Sequence, residues 1–449
     1  MALQELAQEQ SLYLDAFTRF AATFGGDGQA WLQPLRERAL ARFAALGFPT
    51  TRDEDWRFTS VAPIAETRFR LAQEAPGAPP AEALAPYDFP ELPAHRLVFV
   101  NGRFMPALSS VGALPAGTVV RGLAQAIAAD RARLEPHLAR YAEYEREAFS
   151  ALNTAFLQDG AFIALPRRTV LAEPIHLLYL TLAEGEPLVT HPRSLLLIGD
   201  ECQAAVIEDY VTLGEGVHFT NALTELVAGE NSQVQHYLLQ RESPHAYHVA
   251  TLRAQQARSS ALTSHSLLLG GALVRRNIHP VLAGEGAECV INGLFIPQGR
   301  QHMDNYMKVE HLAAHCDSRQ FYKGILDGQA RGVFHGRIVV HKGAQKTDAK
   351  QTNMNLLLSE EAQIDTKPQL EIYADDVKCT HGATIGQMDE DAIFYLRARG
   401  IPAPAARVML LEAFAGESLE RMPHEPVRRH LMQVIRRRLF GEGRGEERS

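Results

Sequence analysis

The sequence has few cysteines, and no two of them are close together. Cys202, Cys289, Cys316 and Cys379 are the only four, and none belongs to a Cys-x-x-Cys pair. A zinc or iron–sulfur site held by one chain usually needs closely spaced thiolates, so this spacing argues against a self-contained site of either kind. We expect all four to remain thiols, and the first three to be small packing residues.

Long apolar runs are also missing. No stretch approaches the ~20 apolar residues that span a bilayer, and the first ten residues, MALQELAQEQ, lack the basic flank and apolar run of a secretory signal. We therefore expect a cytoplasmic protein with no membrane partner. The formal net charge of −8 and the pI near 6.1 argue against a nucleic-acid partner, because nucleic acid attracts concentrated positive charge.

Three common catalytic motifs are absent as well. There is no GxxxxGK[ST] phosphate loop, and the similar run KGAQKT at 342–347 lacks the Gly-Lys-Ser/Thr end. Neither GxSxG nor GxGxxG occurs between a strand and a helix. The sequence thus indicates a protein that is not an enzyme and that leaves any ATP hydrolysis to a partner.

What the sequence does contain begins with a helical zone over about 1 to 70. Apolar residues at three-to-four spacing form one helix face, which Gly47 and Pro49 end; they are Leu32, Leu35, Ala39, Phe43 and Leu46. A Pro- and Ala-rich linker is predicted over 74–95, and the Asn-Gly turn in LVFVNGRF (97–104) predicts a hairpin. A second helical stretch is predicted over about 123 to 158.

From about 161 to 388, short runs of Leu, Val, Ile and Thr are separated by Gly, Asp and Asn, which predicts strands. Small residues follow polar corners at intervals of roughly 27 to 30 residues, at Cys202, Ser232, Ser260, Ala287 and Cys316. This interval is typical of a β-solenoid, whose stacked coils share one core. An antiparallel sandwich with evenly spaced turns is the alternative that the pattern leaves open.

The last zone, about 391 to 440, is predicted to return to helix. One apolar stripe is formed by Val427, Leu431, Val434, Ile435 and Leu439. The other faces carry the basic residues Arg428, Arg429, Arg436, Arg437 and Arg438. We interpret this segment as a packing helix with a solvated basic exterior.

Three segments carry a family resemblance. The run VKCTHGATIGQMDEDAIFYLRARGI (377–401) resembles the end of the core of the SufB/SufD family of iron–sulfur cluster assembly scaffolds. The stretch 303–378 is similar to that family along its length, and DWRFT (55–59) resembles its N-terminal acidic-Trp-basic-aromatic-Thr element. HGA at 381–383 and RARG at 397–400 match the SufD branch better than the SufB branch, where His-Glu-Ala and Gln-Arg-Gly are usual.

The resemblance implies a right-handed parallel β-helix core with helical N- and C-terminal parts. On this sequence it gives a helical region and linker at 1–95, a hairpin and helical connection at 96–160, the β-helix at 161–390 and a helical region at 391–449. It also implies a heterodimer with SufB through the end of the β-helix. The C-terminal helices would bind the ATPase SufC, with contacts assigned to Phe394, Leu396, Arg399, Gly400, Val408, Leu411 and Phe414.

Cys379 and His381 are the candidate cluster-assembly residues. They lie two apart, so on a strand both side chains point to the same face, and thiolate and imidazole both bind iron. The resemblance places His381 at the SufB interface, as a metal ligand in cluster assembly and iron acquisition. It implies no stably bound cofactor, only a transient iron–sulfur cluster shared with SufB, and it leaves flavin binding open. An inert packing role is the alternative for Cys379.

Two other functions remain open at this stage. A structural adaptor would hold the same complex together without touching the cluster. A carbohydrate-active β-helix enzyme would need clustered carboxylates, for which the acidic runs at 375–376 and 389–391 are the candidates. Trp56 is expected to pack against helices, and satisfied or solvent-facing side chains are expected for His302, His311, His315, His335 and His341.

Overall fold

The computed structural model describes residues 16–21, 29–72, 77–89 and 91–440. Its helices are α1 (16–21), α2 (Gln33–Leu46), α3 (Ala62–Ala65), α4 (Leu123–Ala129), α5 (Arg131–Leu134), α6 (Ala148–Ala155), α7 (Glu390–Ala398), α8 (Ala403–Leu419) and α9 (Glu425–Phe440). Short 3-10 turns lie at Ala30–Leu32, Glu54–Trp56, Ala81–Tyr87 and Pro106–Leu108.

The strands begin with β1 (Arg70–Leu71), β2 (His95–Val100), β3 (Arg103–Phe104), β4 (Val119–Gly122), β5 (Ala161–Leu165), β6 (Ile175–Leu182), β7 (Leu188–Thr190) and β8 (Arg193–Ile198). They continue with β9 (Gln203–Leu213), β10 (His218–Ala228), β11 (Gln233–Arg241), β12 (Ala246–Gln256), β13 (Ala261–Leu268), β14 (Leu273–Leu282) and β15 (Glu288–Phe295). The last are β16 (His302–His311), β17 (Asp317–Leu326), β18 (Arg331–Val340), β19 (Asp348–Leu357), β20 (Gln363–Ile372) and β21 (Lys378–Gly386).

Two sheets of mainly parallel strands form the body of the protein. Within the described residues, an 11-stranded sheet runs from β20 through the even-numbered strands to β8, β5 and β4, and its other two strands are β7, which pairs with β10, and β1, which pairs with β7. A 10-stranded sheet runs from β21 through the odd-numbered strands to β9, β6, β2 and β3. Successive strands from β8 onward alternate between the sheets, so the chain winds as a solenoid. This confirms the predicted β-helix core with helical flanks, and the sandwich alternative is wrong.

The predicted repeat corresponds to one corner of the solenoid. Strands that follow this corner pair in register, with Gln203 opposite Gln233, Gln233 opposite Ala261 and Ala261 opposite Glu288. The five small residues of the repeat all precede these strands and are fully buried. Each follows a residue with positive φ, namely Glu201, Asn231, Ser259, Gly286 and His315. At this corner each coil thus has one residue in the left-handed region, followed by a small side chain that is fully buried.

The register of the paired strands also places similar side chains above one another inside the solenoid. Tyr179 pairs with Phe99 on one side and with Tyr210 on the other. The rings are stacked, with centroids 4.7 Å apart for Phe99 and Tyr179 and 4.8 Å apart for Tyr179 and Tyr210. Aromatic cross-strand pairs add to the stability of the ladder. The hairpin predicted at 97–104 is confirmed, since β2 and β3 pair across Asn101 and Gly102, both at positive φ.

Helices from the N-terminal part cover the outer face of the 11-stranded sheet. Phe43 of α2 and Phe149 of α6 share an apolar cluster with Phe219 and Val249 of the sheet. The helical stretch predicted over 123–158 is present only as the short helices α4, α5 and α6. A buried carboxylate organises the chain between α5 and α6: Glu225 accepts hydrogen bonds from the backbone N–H groups of Ala139, Tyr141 and Ala142 and from the Arg193 guanidinium.

Helices from the C-terminal part cover the outer face of the 10-stranded sheet. Leu411 and Leu419 of α8, with Leu431 and Ile435 of α9, pack against strand residues that include Leu239. The stripe predicted for this segment therefore faces the protein's own sheet. Across the described ranges, no helix combines the length and the apolar character needed to cross a bilayer.

We expect Glu225→Gln to lower the free energy of unfolding by about 3 kcal/mol, the usual cost of breaking a buried ion pair. The substitution would leave Arg193, which is fully buried, without its charge partner. The measurement is chemical denaturation followed by circular dichroism. The control is Glu230→Gln, which removes an exposed pair with Arg258 and should change stability by less than about 1 kcal/mol. Equal effects of the two substitutions would contradict the anchoring role of Glu225.

Candidate functional site: the open end of the solenoid and the C-terminal helices

The last strand of each sheet is paired on one side only. In the described part of the chain, β20 bonds to β18 and β21 bonds to β19. The outer edge of each therefore presents unpaired N–H and C=O groups, which either stay in water or recruit another chain. Pro368 lies in β20, as expected of an edge strand, because proline cannot donate to a ladder. This end of the solenoid is open.

Cys379 and His381 both lie on β21. Cys379 pairs with Ala349, and its side chain packs against the solenoid core. His381 pairs with Gln351 and is exposed. Burial raises the pKa of the Cys379 thiol, an effect partly offset by the backbone N–H of Ala349. At neutral pH the thiol is therefore protonated, and a metal or a cationic neighbour would be needed to convert it to a thiolate.

Large apolar side chains are exposed around the same end. Ile372 and Tyr373 follow one another at the end of β20, and Ile385 lies near the end of β21. All three have substantial exposed surface. Sequence reasoning did not single out Tyr373 or Ile385. The sequence does show bulky apolar residues at the ends of these strands. Whether such residues are buried or exposed depends on whether another coil follows, and the sequence pattern alone does not decide that.

Helix α7 begins four residues after β21. The side chain of Asp389 caps it by accepting hydrogen bonds from the N–H groups of Asp391 and Ala392, at 2.9 and 3.0 Å. Ile393 is buried, whereas Phe394 is 70% exposed and the neighbouring Tyr395 is also exposed. An exposed aromatic pair on one helix is typical of a protein-binding surface.

Three more of the residues predicted for SufC binding, Leu396, Arg399 and Gly400, lie in the last turn of α7 or just after it. Leu396 is half-buried. The guanidinium of Arg399 lies 5.0 Å from the centre of the Tyr395 ring, within the range of a cation–π contact. Gly400 ends the helix with φ of 86°, a conformation that glycine adopts without strain.

Two family models match the sequence in succession. The SufBD protein N-terminal region covers residues 7–177, and the SufBD core domain of the SUF system for iron–sulfur cluster assembly covers residues 180–414. The chain belongs to the SufBD family. The boundary between the two matches falls within β6, a strand of the 10-stranded sheet, so it does not separate two folding units.

Curated relatives agree with this assignment. The chain is 37% identical over 415 residues to the iron–sulfur cluster assembly protein SufD of Escherichia coli, covering 92% of this chain and 94% of that protein. It is 35% identical over 424 residues to an iron–sulfur cluster assembly SufBD family protein of Synechocystis, covering 92% of each. The chloroplastic protein ABCI7 of Arabidopsis thaliana is 32% identical over 62% of this chain and 60% of its own. The predicted resemblance to SufD is confirmed.

Helix α8 of the SufBD chain is held to its own sheet. Leu411 is 8% exposed and lies in the cluster beneath α8. Phe414 is half-buried, and its carbonyl accepts a hydrogen bond of 2.9 Å from Lys323 Nζ on β17. Lys323 also forms a 2.5 Å ion pair with Glu417 and lies 4.0 Å from the centre of the Phe414 ring. Val408 is half-buried. The predicted binding residues thus divide between an exposed helix and a packed one.

The other candidates singled out in the SufBD sequence have packing roles. Cys202, Cys289 and Cys316 are buried free thiols, and burial raises the pKa of Cys289 to about 12. Trp56 packs against Phe149 and lies under the Arg275 guanidinium. Each histidine between 302 and 341 has a polar neighbour within 4.0 Å: Thr59 for His302, Ser318 for His311, Glu285 for His315, Gln369 for His335 and Glu310 for His341. Among the described residues, no His, Cys, Asp and Glu side chains form a group of three or more that could hold a metal ion.

We expect Cys379 to be the one thiol of the native, purified chain that reacts with a disulfide reagent such as 5,5′-dithiobis(2-nitrobenzoate). It should react more slowly at pH 8 than free cysteine and faster as pH rises, because its pKa is raised and the thiolate is the nucleophile. Cys379→Ala should remove the native reaction, and Cys316→Ala should preserve it. Rapid reaction of two or more thiols before denaturation would contradict the buried positions of the other three.

Proposed function

We propose that this protein is a scaffold subunit of iron–sulfur cluster assembly that pairs with a SufB-type subunit through the open end of its solenoid. In this proposal the paired subunits present a site at which a nascent cluster is assembled, and the chain also helps to acquire iron. The proposal rests on family membership and on one structural observation: the terminal coil, which bears Cys379 and His381, has unpaired strand edges.

The terminal coil has the properties that pairing requires. A second chain could extend the sheets at β20 and β21, because parallel or antiparallel addition satisfies the free N–H and C=O groups. The exposed side chains of Ile372, Tyr373 and Ile385 would be removed from water at the same time. Exposed apolar surface beside an open edge favours association over a monomer with this end in water.

The chemistry at His381 suits a shared cluster. A neutral imidazole can bind iron through a ring nitrogen without first losing a proton, unlike a thiol. Cys379 lies on the same strand face but is partly buried, and its raised pKa disfavours the thiolate. His381 is therefore the stronger candidate ligand of the two. Because one imidazole cannot hold a cluster, the partner would supply thiolates, and the cluster is a transient product that passes through the interface.

The C-terminal helices are proposed to bind a SufC-type ATPase. Helix α7 supplies the contact residues Phe394, Leu396, Arg399 and Gly400, with the exposed Tyr395 beside them. Helix α8 would support α7 structurally, because Leu411 and Phe414 hold α8 against the sheet. Val408, near the start of α8, is half-buried and is also proposed to contact the ATPase. ATP hydrolysis would then belong to the partner, and this chain would have no enzymatic activity of its own.

A structural adaptor that never contacts the cluster is the second candidate. It is favoured by the partial burial of Cys379, which leaves a single accessible candidate ligand on β21. The two functions share the same partners and the same open end. They differ only in what the imidazole of His381 does.

We expect the complex assembled with His381→Ala to keep its subunit composition and to lose about tenfold or more of its cluster content, a typical cost of damaging a metal site. The substituted side chain is exposed and contributes little to packing. Intact-mass measurement and iron and sulfide analysis of the co-purified assembly give the two quantities. The matched control is His315→Ala, which removes an exposed corner histidine far from β21 in the sequence. Normal cluster content in the His381→Ala complex would establish the adaptor function instead.

We expect Phe394→Asp to abolish co-purification of the ATPase without lowering the thermal midpoint, because the ring is exposed and a charge would be buried at the contact. Leu411→Ala should instead destabilise the chain by about 2 kcal/mol or more, since it leaves a cavity beneath α8. Met409→Asp, an exposed position on α8, is the control that should preserve both properties. Retained ATPase binding by Phe394→Asp would move the contact away from α7.

A further inference from the structure

A cavity lies far from the open end, between α1, the segment around β1 and the chain near β7. Its volume is about 560 Å³, within the range of pockets that hold small organic ligands. The described residues that line it include Arg19, Arg68, Arg70, Phe69, Phe156 and His191. None of them belongs to the proposed partner surfaces.

The rim of this cavity is positively charged. Arg19, Arg68 and Arg70 are exposed, and none forms an ion pair within 4.0 Å with any residue that the structure describes. Glu186 is the acidic residue among the described lining residues, and it is also unpaired within these limits. The described lining thus carries three positive charges and one negative charge. This differs from other surface arginines such as Arg167 and Arg168, which share Glu201.

His191, which lines the cavity, has a buried hydrogen-bond donor without a partner among the described residues. His191 is only 6% exposed, and its Nδ1 accepts a hydrogen bond of 3.2 Å from the amide nitrogen of Asn221. The ring proton is therefore on Nε2. Burial lowers the pKa of His191 to about 3, so the ring is neutral at physiological pH. Nε2 has no partner within the described structure, and an unsatisfied buried donor costs about 1–3 kcal/mol.

The remaining wall is apolar and aromatic. The His191 ring is stacked on Phe156, with centroids 5.1 Å apart and planes at 13°. Phe69 is half-buried, and Leu71 and Val189 complete this side. Inorganic phosphate would satisfy the arginines but would leave this surface and most of the volume unused. A ligand with both a flat apolar part and an anionic group would use all of it.

We propose that this cavity binds a small organic phosphate of about mononucleotide size. The guanidinium groups of Arg68 and Arg70, with Arg19, hold the phosphate, because the planar fork of arginine matches phosphate oxygens. The flat part of the ligand lies against the aromatic wall, and an acceptor atom on it takes the hydrogen bond of His191 Nε2. The site is independent of the open end of the solenoid, so its occupancy does not depend on the proposed partners.

The test uses the complete chain and calorimetric titration with AMP, UMP and inorganic phosphate. We expect at least one nucleotide to bind with a Kd below about 100 μM and at least tenfold more tightly than inorganic phosphate. A site with two good polar contacts should have a Kd on the order of 1 mM or lower. If neither nucleotide saturates the chain at 1 mM, the proposal is therefore wrong. Equal affinity for inorganic phosphate would overturn its organic part and reduce the site to a simple anion site.

Variants locate the binding. Arg68→Ala with Arg70→Ala should weaken nucleotide binding by about tenfold or more, since each charged hydrogen bond contributes about that factor. Arg52→Ala with Arg57→Ala is the matched pair, exposed and outside the cavity, and should leave the Kd unchanged. His191→Phe preserves the stack on Phe156 and removes the donor, so it should weaken binding while circular dichroism stays the same. Unchanged affinity in the Arg68, Arg70 variant would show that any nucleotide binds elsewhere, and the proposal would be wrong.

Discussion

In-register hydrogen bonding between parallel strands of successive coils is the constraint on which the rest of this structure depends. It places equivalent side chains above one another, so the corner residues are uniformly small and the rings of Phe99, Tyr179 and Tyr210 stack. It also means that every coil needs a neighbour on both sides. The last coil has a neighbour on one side only, and the unpaired edge follows from the same bonding that builds the body.

The two sheets have outer faces as well as a shared interior, and both outer faces carry apolar residues. Different parts of the chain cover them: N-terminal helices pack on the 11-stranded sheet, and C-terminal helices pack on the 10-stranded sheet. The C-terminal helices are therefore part of the packed structure, although Phe394 and Tyr395 of α7 stay exposed. Removing the chain after Ile393 would expose the outer surface of β15 and β17, so point substitutions on α7 test the proposed contact with less effect on stability than truncation.

The positions of the candidate sites reflect this arrangement. The open end combines apolar side chains, free backbone groups and one accessible imidazole, which suits a protein partner and a shared metal cluster. The cavity beside α1 combines unpaired arginines with an apolar, aromatic wall, which suits the proposed organic phosphate. The two surfaces differ in chemistry because of where they lie. The open end is the last coil of the two sheets, whereas the cavity lies where the N-terminal part of the chain packs beside the 11-stranded sheet.

The sequence by itself determined the corner repeat, the hairpin at 97–104 and the shared strand face of Cys379 and His381, whereas its strand pattern left a sandwich open beside the solenoid that the family resemblance implied. These depend on local turn geometry and on the two-residue period of a strand, which short stretches of sequence record. Only the tertiary structure decided that Leu411 is packed while Phe394 is exposed, and that Tyr373 lies at an uncovered end. Apolar periodicity marks a face that will be buried or bound, but which surface covers it depends on contacts between residues far apart in the chain.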